Sequence, residues 1–222
     1  DYVRELIATG KPVVLVVFGG RAQVLGDLVD KCAAVIQAWY PGEEGGNALA
    51  DIIYGNISPS GKLSVSYPAE EIYEPVCYNY SREKDVRIQF PFGYGLSYTT
   101  FDYSNLKIEG LNLSFTLTNS GKMAADEIVQ IYVSPAEGQP IRAIQLQGFG
   151  RVSLQPGESK TVSFSMSEEQ FGYFDDWKWS VDAGKYLVEV GASSQDIRLY
   201  GDVQIKKDIS MPLRSVYFSK MK

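Results

Sequence analysis

The sequence predicts two folds in tandem: an α/β layer in its first third and an antiparallel β-sandwich after it. Three observations carry this. PVVLVVF (Pro12 to Phe18) is an unbroken apolar run between Gly10 and Gly19-Gly20, the pattern of a parallel strand covered on both faces. Up to Tyr67, apolar residues recur alternately at strand and helix spacing. Beyond Phe101 their period falls to two, and turn signals separate short runs.

In order, AQVLGDLVDK places Val24, Leu25, Leu28 and Val29 on a helical stripe. AAVIQAWY is a second apolar strand, stopped by Pro41. GGNALADIIYG sets Ala48, Leu49, Ile52 and Ile53 on one helix face, and Gly55 ends it. KLSVSYP alternates Leu63, Val65 and Tyr67 as a third strand. Strand, helix, strand, helix, strand is the order of an α/β unit with right-handed crossovers.

Residues 69–102 lose any sustained period but stay rich in tyrosine, as an ordered connector rather than a flexible linker would be. PFGYGLSY, with Phe92, Tyr94 and Tyr98, reads as a loop packed on a neighbouring surface, or alternatively as a sugar-stacking platform. LSFTLT, EIVQIYV, KTVSFSM and KYLVEVG then alternate, separated by NSGK, QPGES and DAGK. That is an antiparallel sandwich of fibronectin type, with no cysteine pair to bridge it.

Composition limits the chemistry. The 222 residues hold 45% apolar and 13% aromatic side chains, enough for packed cores. A net charge of -6 argues against nucleic acid or an anionic membrane as partner. No apolar run is long enough to span a bilayer, and the first residues do not read as a secretory leader. The chain has no histidine, which removes Ser-His-Asp and Cys-His catalysis and any histidine-ligated metal. Cys32 and Cys77 cannot make a structural zinc site alone, and KCAAVI reads as the setting of a buried free thiol. No cofactor or metal site is expected, and of the chemistries that remain carboxylate acid/base work is the most natural.

PGEEGG, between a strand and a helix, raises the question of whether Glu43 and Glu44 are a catalytic pair. Acidic residues at a helix start are favoured by the helix dipole, and the glycines allow a tight turn. A retaining glycosidase needs carboxyl groups facing each other about 5–5.5 Å apart, normally from separate segments. Glu43 and Glu44 are read as turn residues.

TGKPVVLVVFGGRAQVL, AWYPGEEGGNALADIIYGNISPSGKLSVSYP and PFGYGLSYTTFDYS resemble the C-terminal half of glycoside hydrolase family 3 enzymes, the β-glucosidases and β-xylosidases. LTNSGKMAADEIVQIYVS, LQGFGRVSLQPGESKTVSFSM and GKYLVEVGASSQDIRL resemble the fibronectin type III-like domain that follows in many members. The resemblance spans nearly all of residues 1 to 205. It implies the end of an α/β sandwich domain over residues 1–68, a connector over 69–102, the fibronectin-like domain over 103–205 and an extension over 206–222. It also implies that the catalytic barrel aspartate and the acid/base glutamate lie on upstream regions with no counterpart here, so no catalytic residue is carried over. The resemblance places the loop GGRAQVL at the interdomain cleft, where Arg21 would bond sugar hydroxyls and Gly20 would allow close approach. A solvent-facing or helix-capping Arg21 is the alternative. DDWKW (Asp175 to Trp179) is a hairpin by the same resemblance, rather than a sugar-binding edge or calcium site.

The expected partners are the missing barrel and upstream α/β region, and a β-glucoside or oligosaccharide substrate. An uncovered sheet edge would favour a homo-oligomer. A carbohydrate-binding module and a scaffold protein are the competing readings. The tail KKDISMPLRSVYFSKMK is either an ordered extension packed on the body or a link to a further domain.

Overall fold

The computed structural model describes residues 1–71, 77–79, 87–135 and 144–222. A short helix, α1 (Tyr2–Ala8), leads into β1 (Val14–Phe18), followed by α2 (Leu28–Lys31), β2 (Ala34–Trp39) and α3 (Gly45–Ile53). β1 and β2 pair in parallel, with Val16 opposite Ile36. Arg4 of α1 forks onto Asp27 at 2.7 and 2.5 Å, and Lys31 donates to the same carboxylate.

Three expectations are corrected here. The helical stripe from Val24 shrinks to one turn at Leu28–Lys31, because Gly26 sits at φ 54° just before it and breaks the helical path. The third strand does not join the parallel sheet. Its Leu63 is held by the connector instead, donating to the Tyr94 carbonyl and accepting from the Gly93 N–H. Only Tyr67–Pro68 (β3) pairs as strand, antiparallel to Ile88–Phe90 (β4). Cys32 is half-buried rather than buried, and both thiols are free. Of the connector, residues 72–76 and 80–86 lie outside the described residues.

The sandwich begins with β5 (Phe101–Glu109), β6 (Asn112–Asn119), β7 (Ala125–Pro135), β8 (Gln145–Leu154) and β9 (Ser159–Ser165). A 3-10 turn (Glu168–Phe171) and a hairpin of β10 (Tyr173–Asp175) and β11 (Lys178–Val181) precede β12 (Gly184–Gly191) and β13 (Ile197–Ile205). One sheet runs β5-β6-β9 and the other β13-β12-β7-β8. The predicted alternation is realised: Leu113, Phe115 and Leu117 face Val129, Ile131, Val188 and Val190, all at 2% exposure or less. Asn119 in the NSGK turn is fully buried yet satisfied, donating to the Met123 and Leu154 carbonyls and accepting from Thr99 Oγ1 and the Gly121 N–H.

The other face of β7 is buried too. Gln130 and Tyr132 alternate with the core residues but lie under the connector, while Glu127, in phase with Val129 and Ile131, is a buried carboxylate on the core face. The Gln130 amide donates to the carbonyls of Gly93 and Ala192, while its Oε1 accepts from the Tyr132 hydroxyl at 2.5 Å. Gly93 stands at φ 80°, where a Cβ would lie 2.0 Å from that Oε1, so only glycine fits. Beside it Lys62 reaches the Glu127 carboxylate at 3.3 Å and the Gly95 carbonyl at 3.2 Å, and Tyr103 donates to the same carboxylate at 2.9 Å. Desolvation first, and then the Glu127 charge, push the Tyr103 phenol far up, so it is a donor at any accessible pH.

The tail packs on the body. β14 (Ile209–Met211) adds a third strand to the β10–β11 hairpin. Further on, Ser219 bridges Gly148 on β8, and Met221 bridges Phe164 on β9. β8 and β9 are the outer strands of their sheets, so the tail spans both open edges. Between these anchors the Glu169 carboxylate accepts from the N–H groups of Ser215 and Val216 and from the Ser215 hydroxyl. Those bonds, the Val216 N–H foremost, hold Glu169 below the ordinary glutamate range. A carboxylate with a depressed folded pKa contributes stability above its unfolded pKa and loses it as pH falls through the folded value. Proteolysis within residues 212–218 should therefore quicken below the ordinary glutamate range. Glu169→Gln should remove that pH dependence. An unchanged acid limb in the variant would refute the assignment.

Candidate functional site

The carboxyl ends of β1 and β2 meet at one edge of the parallel pair. β1 runs into Gly19, Gly20 and Arg21, and β2 into Trp39, Tyr40 and Pro41. The two ends are tied: the Gly19 N–H donates to the Trp39 carbonyl at 3.2 Å, and Gln37 Nε2 donates to the Gly19 carbonyl at 3.3 Å. The register shifts between Val17 and Phe18, and Trp39 adopts φ 52°, a conformation that aromatic residues rarely hold. Ligands of open α/β sheets bind at this end of the strands.

Gly20 and Arg21 sit side by side there. A Cβ on Gly20 would fall 2.8 Å from Cε2 of Tyr40, so the glycine lets the Tyr40 ring lie against the main chain. Tyr40 is 80% exposed, an open aromatic face beside the Arg21 loop. Arg21 is exposed and has no hydrogen bond or ion pair among the described residues. Its guanidinium is available to hydroxyl or carboxylate oxygens. Sequence reasoning missed Tyr40; the signal was an aromatic residue directly before the Pro-Gly turn that ends a strand.

Glu43 and Glu44 lie elsewhere on this rim. Glu44 is the N-cap of α3, and both glutamates are exposed. The Glu44 carboxylate makes no capping bond and instead accepts from Asn47 Nδ2 at 2.6 Å. Two adjacent acids at one helix start do not face each other across a substrate. Among the described residues no His, Cys, Asp and Glu cluster could hold a metal ion.

Behind the rim, aromatic rings chain together: Trp39 against Tyr67 at 6.5 Å, Tyr67 against Phe90 at 6.3 Å, Phe90 against Tyr94 at 5.0 Å. Phe92 stacks on Tyr78 at 4.2 Å, and the Tyr98 hydroxyl donates to the Ile52 carbonyl. The PFGYGLSY loop is thus packed against the body. Burial raises the Tyr67 and Tyr94 phenols. Tyr67 is 2% exposed, and its hydroxyl has no hydrogen-bond partner among the described residues, nor do Gln37 Oε1 and Gln89 Oε1.

β1 itself is unusual. Its five residues are all apolar and none is buried; Val14 is 42% and Phe18 58% exposed. The hairpin tip at Asp176 and Trp177 holds both residues at positive φ, 45° and 60°, with Trp177 88% exposed.

Residues 1–98 match the glycosyl hydrolase family 3 C-terminal domain, and residues 127–194 match the fibronectin type III-like domain. A β-glucosidase of Kluyveromyces marxianus is 38% identical over 211 residues, covering 82% of this chain and 25% of that protein. A β-xylosidase of Formosa agariphila is 35% identical, covering 88% of this chain and 30% of its own length. β-Glucosidase 3B of Thermotoga neapolitana, solved with glucose, superposes with a TM-score of 0.85 at 29% identity, over 94% of this chain and 33% of that one. The chain spans about a quarter to a third of the length of the relatives it matches. With the motifs, the two-layer order and the superposition in agreement, this chain belongs to glycoside hydrolase family 3, of which it carries the C-terminal domain and the fibronectin type III-like domain.

Proposed function

We propose that this chain is the C-terminal portion of a β-glycosidase that releases terminal β-linked sugars with retention, and that it supports a cleft whose catalytic carboxylates lie on other regions of the enzyme. The observation that carries this reading is β1, an all-apolar strand without one buried residue, beside sandwich strands whose core residues are 9% exposed or less. A strand of that composition is made to be covered on both faces. In this reading the barrel and upstream α/β elements cover it and supply the nucleophile and acid/base groups. The reaction then passes through a glycosyl ester on a carboxylate, which water opens. Gly20, Arg21 and Tyr40 line this chain's side of the cleft, binding and orienting sugar hydroxyls.

The test is complementation. The chain alone should not turn over an aryl β-glucoside or β-xyloside, and activity should appear on mixing with the upstream half. Val14→Asp with Val16→Asp would bury charge against the covering elements and should abolish that rescue. Glu43→Gln with Glu44→Gln should largely spare it. Turnover by the chain alone, lost on replacing one of its own carboxylates, would overturn the proposal.

A separate expectation concerns Arg21. In the assembled enzyme, Arg21→Ala should raise KM about tenfold while kcat changes little, as for a group that binds substrate and transition state alike. An unchanged KM would return Arg21 to a solvent-facing role.

A further inference from the structure

The β1–β2 rim is fastened by the connector. β1 and β2 make only a two-stranded sheet, and no residue of either is buried. From Gly19 to Asp27 the chain runs without helix or strand. Such a loop has little of its own to fix where Gly20 and Arg21 stand. Its first end is tied to β2 by the bonds of Gly19 with Trp39 and Gln37. Its far end is held by a residue 63 positions on: Gln89 Nε2, from β4, donates to the Gly26 carbonyl at 2.7 Å. Gly26, at φ 54°, is where the loop turns towards α2.

Gln89 is itself on a held element. β4 pairs with β3 through Phe90 and Tyr67, and the Ala69 N–H donates to the Arg87 carbonyl at 2.9 Å on the same ribbon. Tyr67 of that ribbon also packs edge-on against Trp39, the end of β2. Directly after β4 the chain docks on the sandwich. The Phe92 carbonyl accepts from the Ser194 N–H at 2.9 Å, and the Gly93 carbonyl from Gln130 Nε2 at 3.1 Å. Both the Arg21 loop and the end of β2 thus take their places from one ribbon, moored on β7 and on the turn between β12 and β13.

We infer that Gln89 is a positioning residue for sugar binding: through Gly26 it holds the loop in the place from which Arg21 reaches the substrate. The inference rests on the proposed role of the rim and adds to it a residue that touches no sugar. Gln89 acts through Arg21. A single amide-to-carbonyl bond is enough to shift a local opening equilibrium about three- to tenfold.

Gln89→Met keeps the length of the side chain and removes the donor. In the chain alone, tryptic cleavage after Arg21 reports how often the loop opens. It should run about three- to tenfold faster in the variant, while cleavage after Lys206, beyond β13, keeps its rate. In the enzyme assembled with its upstream half, the variant should raise KM about three- to tenfold with kcat little changed. Combined with Arg21→Ala, it should raise KM no further than Arg21→Ala alone does. A residue with only a structural role would add its effect instead. Equal cleavage rates in parent and variant would overturn the inference, whatever the enzyme does. Faster cleavage with an unchanged KM, or additive effects on KM, would overturn it too. If no activity appeared on assembly, or Arg21→Ala itself left KM unchanged, the reading of the rim would fail and the inference with it. The cleavage rates would still tell a held loop from a free one, and so separate the two failures.

Discussion

Replacing Lys62 with methionine is expected to lower the unfolding free energy of the chain by about 3–5 kcal/mol, the cost of leaving a buried charge without its partner. Lys62 and Glu127 side chains are 12% and 5% exposed, so solvent screens the pair little. The substitution removes the ammonium but leaves the carboxylate buried, still accepting from the Tyr103 hydroxyl. Adding Glu127→Gln should recover most of the loss, since the pair then vanishes together and the amide oxygen can still accept from Tyr103. Urea unfolding of the two single variants and the double variant gives the coupling directly. A loss under about 1 kcal/mol for Lys62→Met would show that the pair behaves as a surface ion pair and that the connector does not seal it.

The second large effect is removal of the tail. A chain ending at Asp208 loses β14, the Glu169 anchor and the contacts of Ser219 and Met221 with β8 and β9. It also loses the partial burial of the Ile209 and Met211 side chains, each worth a part of the roughly 1.5–3 kcal/mol of full burial. The sum should be on the order of 5 kcal/mol, together with a new tendency to associate through two open strand edges. Thermal unfolding and light scattering across a concentration series would measure both. Restoring the tail as a separate peptide should suppress the association. A truncated chain as stable and monodisperse as the parent would mean that the tail is only laid on the surface.

What was legible in the sequence is what repeats. The period-two alternation of Leu113, Phe115 and Leu117, and of Val129, Ile131 and Val133, marks core faces because one side of each strand meets the opposite sheet. Gln130 and Tyr132, the intervening positions of the same strand, look like solvent-facing positions, and the structure buries both. Nothing local announces that a connector distant in sequence lies across them. The KLSVSYP strand misled for a related reason. Its alternation is real, but its main-chain partners are Gly93 and Tyr94 rather than another strand of the parallel sheet. At the candidate site, PGEEGG was readable as a helix start because dipole and turn chemistry are local. Gly20 and Arg21 rested on family resemblance, and Tyr40 became visible only when its ring was seen against Gly20. The tail carried no period at all; its place is decided by two strand edges made much earlier in the chain.

Gly148 and Phe164 leave the ribosome well before Ser219 and Met221, which complete their strands' outer sides. During synthesis the sandwich can collapse around Leu117, Val129 and Val190, yet its two flanks stay unpaired until the tail emerges. Nascent chains crowded on one messenger would expose the same flanks to one another. A chaperone that shields strand edges, or a slow spell of translation that keeps neighbours apart, would raise the yield of this protein more than faster core formation could.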